Sequence, residues 1–308
     1  MPLSADEVID RRRLKRRLTF WRVLAVVAIV AVVAVAAAGL GSHIRGAGLN
    51  SGDYVARVQI NGLIVTDLTR NDALRRISKD KNAKALILRI DSPGGTVVGG
   101  EDLFRLLRRI AAKKPVVAVF GNLGTSGAYM TALGADRIFA REGSITGSIG
   151  VILQSADVTG LLEKLGVKSI SVKSSPLKAQ PNPLESFSKD ARKVTEELIE
   201  DLYSMFVEMV AKRRHMEPAR ARALADGRVF TGRQGLKVGL IDAIGGEEEA
   251  RMWLSDVRKI GLTVPVRDVR TSKEKKIWRF LLEGIFGKTL FSERLTLDGP
   301  ISLWHPGL

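Results

Sequence analysis

The chain has 308 residues, 45% of them hydrophobic, enough for one large domain or two small ones with appendages. It contains no cysteine, so a disulfide framework, a thiol nucleophile and a cysteine-ligated zinc site are all excluded. The formal net charge of +16 favours anionic partners, but the basic blocks carry little aromatic interleaving and no nucleic-acid-binding motif, so no nucleic-acid partner is expected.

Residues 1–22 form a basic N-terminus, with seven Lys and Arg between Arg11 and Arg22. Residues 23–40 (VLAVVAIVAVVAVAAAGL) follow without a charge. At 1.5 Å per residue they span about 27 Å, close to the hydrocarbon thickness of a bilayer. Phe20 and Trp21 stand at the N-terminal edge, where aromatic rings suit the headgroup zone. The positive charge before the segment predicts a single-pass anchor, its N-terminus cytoplasmic and everything after residue 40 across the membrane. A cleaved signal peptide and a buried soluble helix are the rival readings, although the apolar run exceeds the ~7–15 residues of a signal-peptide core and is apolar on every face behind a basic run.

Residues 41–53 are glycine-rich and polar, as a linker would be. From 54 to 266 strand-like and helix-like pieces alternate. Strands are expected at 54–60, 83–90, 115–120, 137–140, 150–153 and 169–172. Helices are expected at 72–79, 101–112, 129–133 and 189–214. On the last, Val194, Leu198, Leu202, Met205, Phe206 and Met209 form the face expected to be buried. Such alternation predicts an α/β fold of parallel strands covered by helices, with functional groups on turns at the strands' C-terminal ends. Residues 267–308 mix charges with Ile277, Trp278, Phe280, Leu281 and Phe286, a pattern suited to an amphipathic tail.

Two turns follow buried strands directly. In Asp91-Ser92-Pro93-Gly94-Gly95, proline fixes one backbone angle and the glycines permit a tight turn with bare amides, which suits either an oxyanion site or ordinary turn chemistry. In Gly121-Asn122-Leu123-Gly124-Thr125-Ser126-Gly127-Ala128-Tyr129, a serine between small residues joins a strand to a helix. That is the logic of a nucleophile elbow, and equally that of a helix cap. A serine nucleophile needs a base. His43, His215 and His305 all lie away from these turns, which leaves lysine, and a lysine base must be neutral, the form that burial favours. Lys178 is flanked by Leu177 and Ala179 in a proline-bounded loop, where it reads either as that base or as a solvated loop lysine.

Taken together, these motifs resemble the signal peptide peptidase A (SppA) serine proteases of bacteria. The similarity runs from about 55 to 246 and includes DSPGG at 91–95, the serine turn at 124–129, the segment 135–151, VKSSPLK ending at Lys178, and ADGRVFTGRQGLKVGLIDAIGG at 225–246. The resemblance implies a crotonase/Clp-protease-like superfold with parallel sheets behind one N-terminal transmembrane helix. It casts Ser126 as nucleophile, Lys178 as general base and Ser148 as a hydroxyl that positions the lysine. A glycine amide of the Gly94-Gly95 pair, with the Ser126 amide, matches the oxyanion hole, and Gly127 belongs with them to the oxyanion and substrate-binding position. Ala128 departs from the family, which usually has a second glycine there. The resemblance further implies a membrane-bound endopeptidase for remnant signal peptides and other unfolded peptides at the extracytoplasmic face. It implies a homo-oligomeric ring whose sites combine neighbouring subunits, and neither metal nor cofactor. An inactive scaffold and an acyl-CoA enzyme of the same superfold are the rival readings.

Overall fold

The computed structural model describes residues 18, 20–27, 29–30 and 52–269, together with the backbone of 301–303. The chain divides into two compact units, 1–52 and 53–308. In the first, residues 18, 20–27 and 29–30 are helical and exposed. Among the described residues no helix is long and apolar enough to cross a membrane. Residues 28 and 31–40 of the expected anchor, and most of the linker after it, lie outside the described residues.

In the second unit β1 (Tyr54–Asn61), α1 (Leu68–Lys79), β2 (Ala83–Ser92), β3 (Gly94–Thr96), α2 (Val97–Ala111), β4 (Val116–Thr125), α3 (Gly127–Ala132), β5 (Arg137–Ala140) and β6 (Ile145–Gly147) follow in close succession. After a longer segment containing α4 (Thr159–Lys164) come α5 (Lys189–Arg214), α6 (Pro218–Leu224), β7 (Val229–Thr231), α7 (Gly232–Val238), β8 (Ala243–Ile244), α8 (Glu247–Arg258) and β9 (Val266–Asp268). A last strand, β10 (Ile301–Leu303), pairs with β3.

The main sheet runs β7-β6-β4-β2-β1-β9, with β5 and β8 branching from β4. All its pairings are parallel except β6 with β7. Strand periodicity splits the apolar side chains between two faces. Ala56, Val58, Ile60, Leu86, Leu88, Ile90, Ala118 and Phe120 belong to the core shared with Leu74 of α1, with Leu103, Leu107 and Ile110 of α2, and with Tyr129 and Met130 of α3. Val55, Ala85, Ile87, Val117, Val119 and Phe139 pack with Ala250 and Leu254 of α8. Burial on both faces is why β2 and β4 are near-continuous apolar runs.

β4 changes partner along its length. Residues 117–119 pair with β5, whereas Leu123, Gly124 and Thr125 pair with β6. The strand therefore extends five residues beyond the expected end at Phe120, through the glycine-rich stretch. Helix α5 has its expected bounds, capped at its start by the Ser188 hydroxyl, which accepts from Ala191 N–H at 3.2 Å. Its expected buried side holds in the later turns, where Phe206 is buried and Leu202, Met205 and Met209 pack against the core, but not in the first turns, where Val194 and Leu198 are 48% and 45% exposed. Two expected strands are absent. At 150–153 only an isolated bridge residue, Ile152, occurs, and 169–172 is irregular with Ile170 and Val172 almost fully exposed.

Candidate active site

The parallel register brings three turns to one place. Ser92 is the partner of Gly124 across β2 and β4, and Thr125 is the partner of Gly147 across β4 and β6. The residues just beyond these pairs are Pro93-Gly94, Ser126 and Ser148. They therefore stand side by side at the C-terminal ends of neighbouring parallel strands, where such sheets carry their functional groups.

Ser126 is 1% exposed and has φ 56° and ψ −123°. A non-glycine residue in this region costs about 1–3 kcal/mol and persists only where its surroundings enforce it. Its N–H donates to Gly147 O at 2.8 Å, and its carbonyl accepts from Met130 N–H at 2.9 Å. Ser126 occupies the N-cap position of α3, but its side chain makes no cap hydrogen bond. Position and role thus separate: the backbone starts the helix without committing the hydroxyl to it. Because the Ser126 amide is engaged by Gly147, the donor this turn offers an oxyanion is Gly127, the first residue of α3, where a helix supplies no i−4 acceptor.

Ser148 repeats this geometry one strand away. It is 8% exposed with φ 50°, and its N–H donates to Arg228 O at 2.8 Å. Thr146 Oγ1 donates to Gly124 O at 3.0 Å, a side-chain tie between the two strands just before both serines.

The Gly94-Gly95 turn is fixed from both sides. Gly94 has φ 117°, and its N–H donates to Ser92 Oγ at 3.1 Å. Ile64 N–H donates to Gly94 O at 2.8 Å, and Thr96 N–H to Ile64 O at 2.9 Å. A Cβ on Gly95 would lie 1.9 Å from the Ile64 carbonyl oxygen, so close backbone approach demands glycine there. Asp91 links this turn to the serine turn. Its carboxylate accepts from Leu123 N–H and from Asn122 Nδ2, each at 3.0 Å. Sequence reasoning treated Asp91 only as part of a turn motif; an acid ending an otherwise apolar strand was the available signal. Behind Ser126, Tyr129 is buried and its hydroxyl donates to Leu240 O at 2.8 Å. Burial raises this phenol above its ordinary range, which keeps it a donor.

Lys178 is not on the sheet. It lies in the segment between β6 and α5, exposed, with its N–H donating to Ser175 O at 3.1 Å. A clamp closes this loop: Glu185 pairs with Lys173 and accepts from Gln180 Nε2 at 2.6 Å. The Lys173 contact holds the Glu185 carboxyl down at about 2. His215 ends α5 in the left-handed conformation, away from the three turns; His43 and His305 lie outside the described residues. Among the described residues no group of three or more His, Asp or Glu could share a metal ion. A cavity of about 490 Å³ lined by Arg89, Asp91, Asn122, Arg141 and Glu247 includes neither Ser126 nor Ser148.

This arrangement supplies a hydroxyl on a sharp elbow, amides on two flanking turns and a second hydroxyl beside it, the parts of an acyl-transfer centre. The sequence profile of Peptidase family S49 matches residues 108–261, half of the chain. The candidate protease slr0021 of Synechocystis sp. is 40% identical over 201 residues, covering 65% of this chain and 72% of that protein. The candidate signal peptide peptidase SppA of Enterococcus faecium is 38% identical, covering 61% of this chain and 55% of its own. The chloroplastic serine protease SPPA of Arabidopsis thaliana is 31% identical, covering 74% of this chain and 34% of its own. The chain thus spans about half and about a third of the latter two.

Proposed function

Since the chain belongs to peptidase family S49, the family of the SppA serine proteases, we propose that it is an endopeptidase with a Ser126–Lys178 dyad on a Clp-protease-like superfold. The observation that carries this reading is the elbow at Ser126, strained and buried between the Gly94 and Ser148 turns.

In the proposed reaction, neutral Lys178 takes the Ser126 proton while Ser126 Oγ attacks a peptide carbonyl carbon. The amides of Gly127 and Gly95 receive the developing oxyanion, each donor contributing about 3 kcal/mol; the Gly94 N–H is held by Ser92 Oγ. Protonated Lys178 gives its proton to the leaving amine as the C–N bond breaks. Water then attacks the acyl-enzyme, Lys178 takes one of its protons, and Ser126 leaves with a proton returned from the lysine. Ser148 positions the amine.

A lysine base needs desolvation, yet Lys178 is exposed on a single chain. Nearby on the sequence, Leu161, Leu165, Val167, Ile170, Val172 and Leu177 are exposed as well. Together they support a homo-oligomeric ring in which a neighbouring copy covers this segment and completes the site. The apolar run 23–40 and its basic flank support a single-pass anchor with the catalytic domain on the extracytoplasmic face. Remnant signal peptides and other unfolded peptides released at the membrane are then the substrates.

The test uses purified full-length protein in detergent and a fluorogenic apolar peptide. Ser126→Ala and Lys178→Ala should each abolish cleavage without changing the sedimentation profile. Cleavage that persists in Ser126→Ala would overturn the reading.

A further inference from the structure

The C-terminal end of the sheet carries a second concavity, on the face away from α3. Residues 89 and 91 of β2 are two apart, so their side chains share the face of Ile87, which packs with Leu254 of α8. Here the sheet splits: β4 leaves β5 after Val119 and joins β6 at Leu123. Phe120, Gly121 and Asn122, between those pairings, border the cavity of about 490 Å³. The link from β5 to β6 borders it through Arg141 and Ser144, and the start of α8 through Gly246 and Glu247. That volume falls within the roughly 300–1,000 Å³ of small-molecule sites, and open α/β sheets hold ligands in crevices beyond the C-terminal ends of their strands.

Four charged side chains line the cavity: Arg89, Asp91, Arg141 and Glu247. Both carboxylates are already engaged. Asp91 accepts from Asn122 Nδ2 and Leu123 N–H, each at 3.0 Å, and Glu247 accepts from Arg57 Nη1 at 2.9 and 3.1 Å. The acids that feel the two lining arginines are engaged as well. Asp268, in the field of Arg89, is bonded to Arg57 at 2.6 and 2.7 Å. Glu249, in the field of Arg141, accepts from Gly246 N–H at 2.6 Å. The guanidiniums of Arg89 and Arg141 differ: among the described residues neither makes a side-chain hydrogen bond or ion pair, and both residues are exposed. The charged capacity left in the cavity is therefore that of donors. Each guanidinium is a planar fork of N–H groups, and a carboxylate, with two coplanar oxygens, is the anion that fits it in bidentate fashion.

We infer that this cavity is a carboxylate-binding site, its anchors Arg89 and Arg141, and that it takes the free C-terminal carboxylate of a short peptide. The source of the peptide rests on the peptidase reading, since each cleavage creates one new carboxyl terminus. The anchors themselves belong to no part of the catalytic turns. Asp91 connects the two places, because its side chain lines the cavity and also holds Leu123 and Asn122.

The test titrates full-length Ser126→Ala protein in detergent, by calorimetry, with an N-acetylated apolar tripeptide and with its C-terminal amide. The acid should bind about tenfold more tightly than the amide. Added singly to that background, Arg89→Met and Arg141→Met change exposed side chains, so the fold is kept, and each should bring acid and amide within about twofold of each other. Arg75→Met, a surface change on α1, should leave the gap intact. Binding at the catalytic turns is common to all these variants and cancels from the comparison. Equal binding of acid and amide, or a preference for the acid that survives both cavity substitutions, would overturn the site. Displacement of the acid by inorganic phosphate at equal concentration would overturn its assignment to carboxylates. Cleavage of a fluorogenic peptide by the wild type is scored separately; failure there strikes the peptidase reading, while the gap between acid and amide still decides the cavity.

Discussion

The turns around Ser126 and the segment around Lys178 are built on opposite terms. Ser126 is buried, its backbone strained and its position enforced by bonds to Gly147 and Met130. Gly94-Gly95 is locked by Ile64 and Ser92, and Asp91 ties the first turn to the second. Between β6 and α5, by contrast, the chain has one short helix, a clamp at Glu185 and a series of exposed apolar side chains. A site can be rigid in one half while the other half still depends on what covers it. In this protein the turns around Ser126 are held by bonds within one chain, whereas under the proposed ring the segment around Lys178 would take its cover from a second copy.

The largest expected effects break the comparison at its two ends. Ser126→Ala and Lys178→Ala should each lower kcat by about 10⁴-fold or more. Mixing the two inactive proteins under conditions that exchange subunits should restore measurable cleavage if Ser126 of one copy works with Lys178 of another. No recovery would place the dyad within one chain and dissolve the contrast.

Gly95→Ala should be nearly as damaging for a different reason. Its methyl group would overlap the Ile64 carbonyl, costing about 1–3 kcal/mol and displacing the turn. Thermal unfolding and activity should fall together. On the other region, the double variant Ile170→Asp, Val172→Asp should leave the fold within about 0.5 kcal/mol of wild type, because both side chains are exposed. It should nevertheless shift sedimentation toward the monomer and reduce activity. Wild-type assembly in this variant would remove the apolar segment from the interface.

Smaller effects sharpen the picture. Asp91→Asn weakens the link to Leu123 N–H and Asn122 and should cost about tenfold in kcat, or ~1.4 kcal/mol, with the fold retained. Glu185→Gln should loosen the Lys178 loop, seen as faster amide exchange across 173–185 and a severalfold loss of activity. The Glu185 carboxyl is depressed to about 2 by its contact with Lys173, so the clamp is fully present above the ordinary carboxylate range. It should weaken as pH falls from about 4.5 toward 2, and exchange measured across that window should rise in wild type but not in Glu185→Gln.

Much of the fold was legible because its determinants are local. β2 and β4 are apolar runs buried on both faces, and α5 begins at a serine cap with a periodic face behind it. The misread pieces are those whose state depends on partners. Ile145–Gly147 becomes a strand only by pairing with β4 and β7, and three residues carry no period of their own. The segment 169–172 alternates like a strand but finds no sheet, and Ile170 and Val172 face outward. Val194 and Leu198 continue the apolar face of α5 beyond the core that covers its later turns.

The site divides along the same line. Glycines around Ser126 betray an elbow, but the meeting of Ser126 with Ser148 rests on a register between residues 22 positions apart. Only the structure shows the serine at the cap position without capping the helix. It also shows the Ser126 amide, an expected oxyanion donor, already donating to Gly147 O. Lys178 came from resemblance and from the poor placement of the histidines, and no local feature of its loop singles it out.

The most direct measurement of the central claim is mass-spectrometric mapping of a fluorophosphonate adduct on the detergent-solubilised full-length protein. The expected result is a single adduct on Ser126, absent from Ser126→Ala and formed far more slowly in Lys178→Ala. An adduct on another serine, or labelling of Ser126 at an undiminished rate in Lys178→Ala, would contradict the dyad.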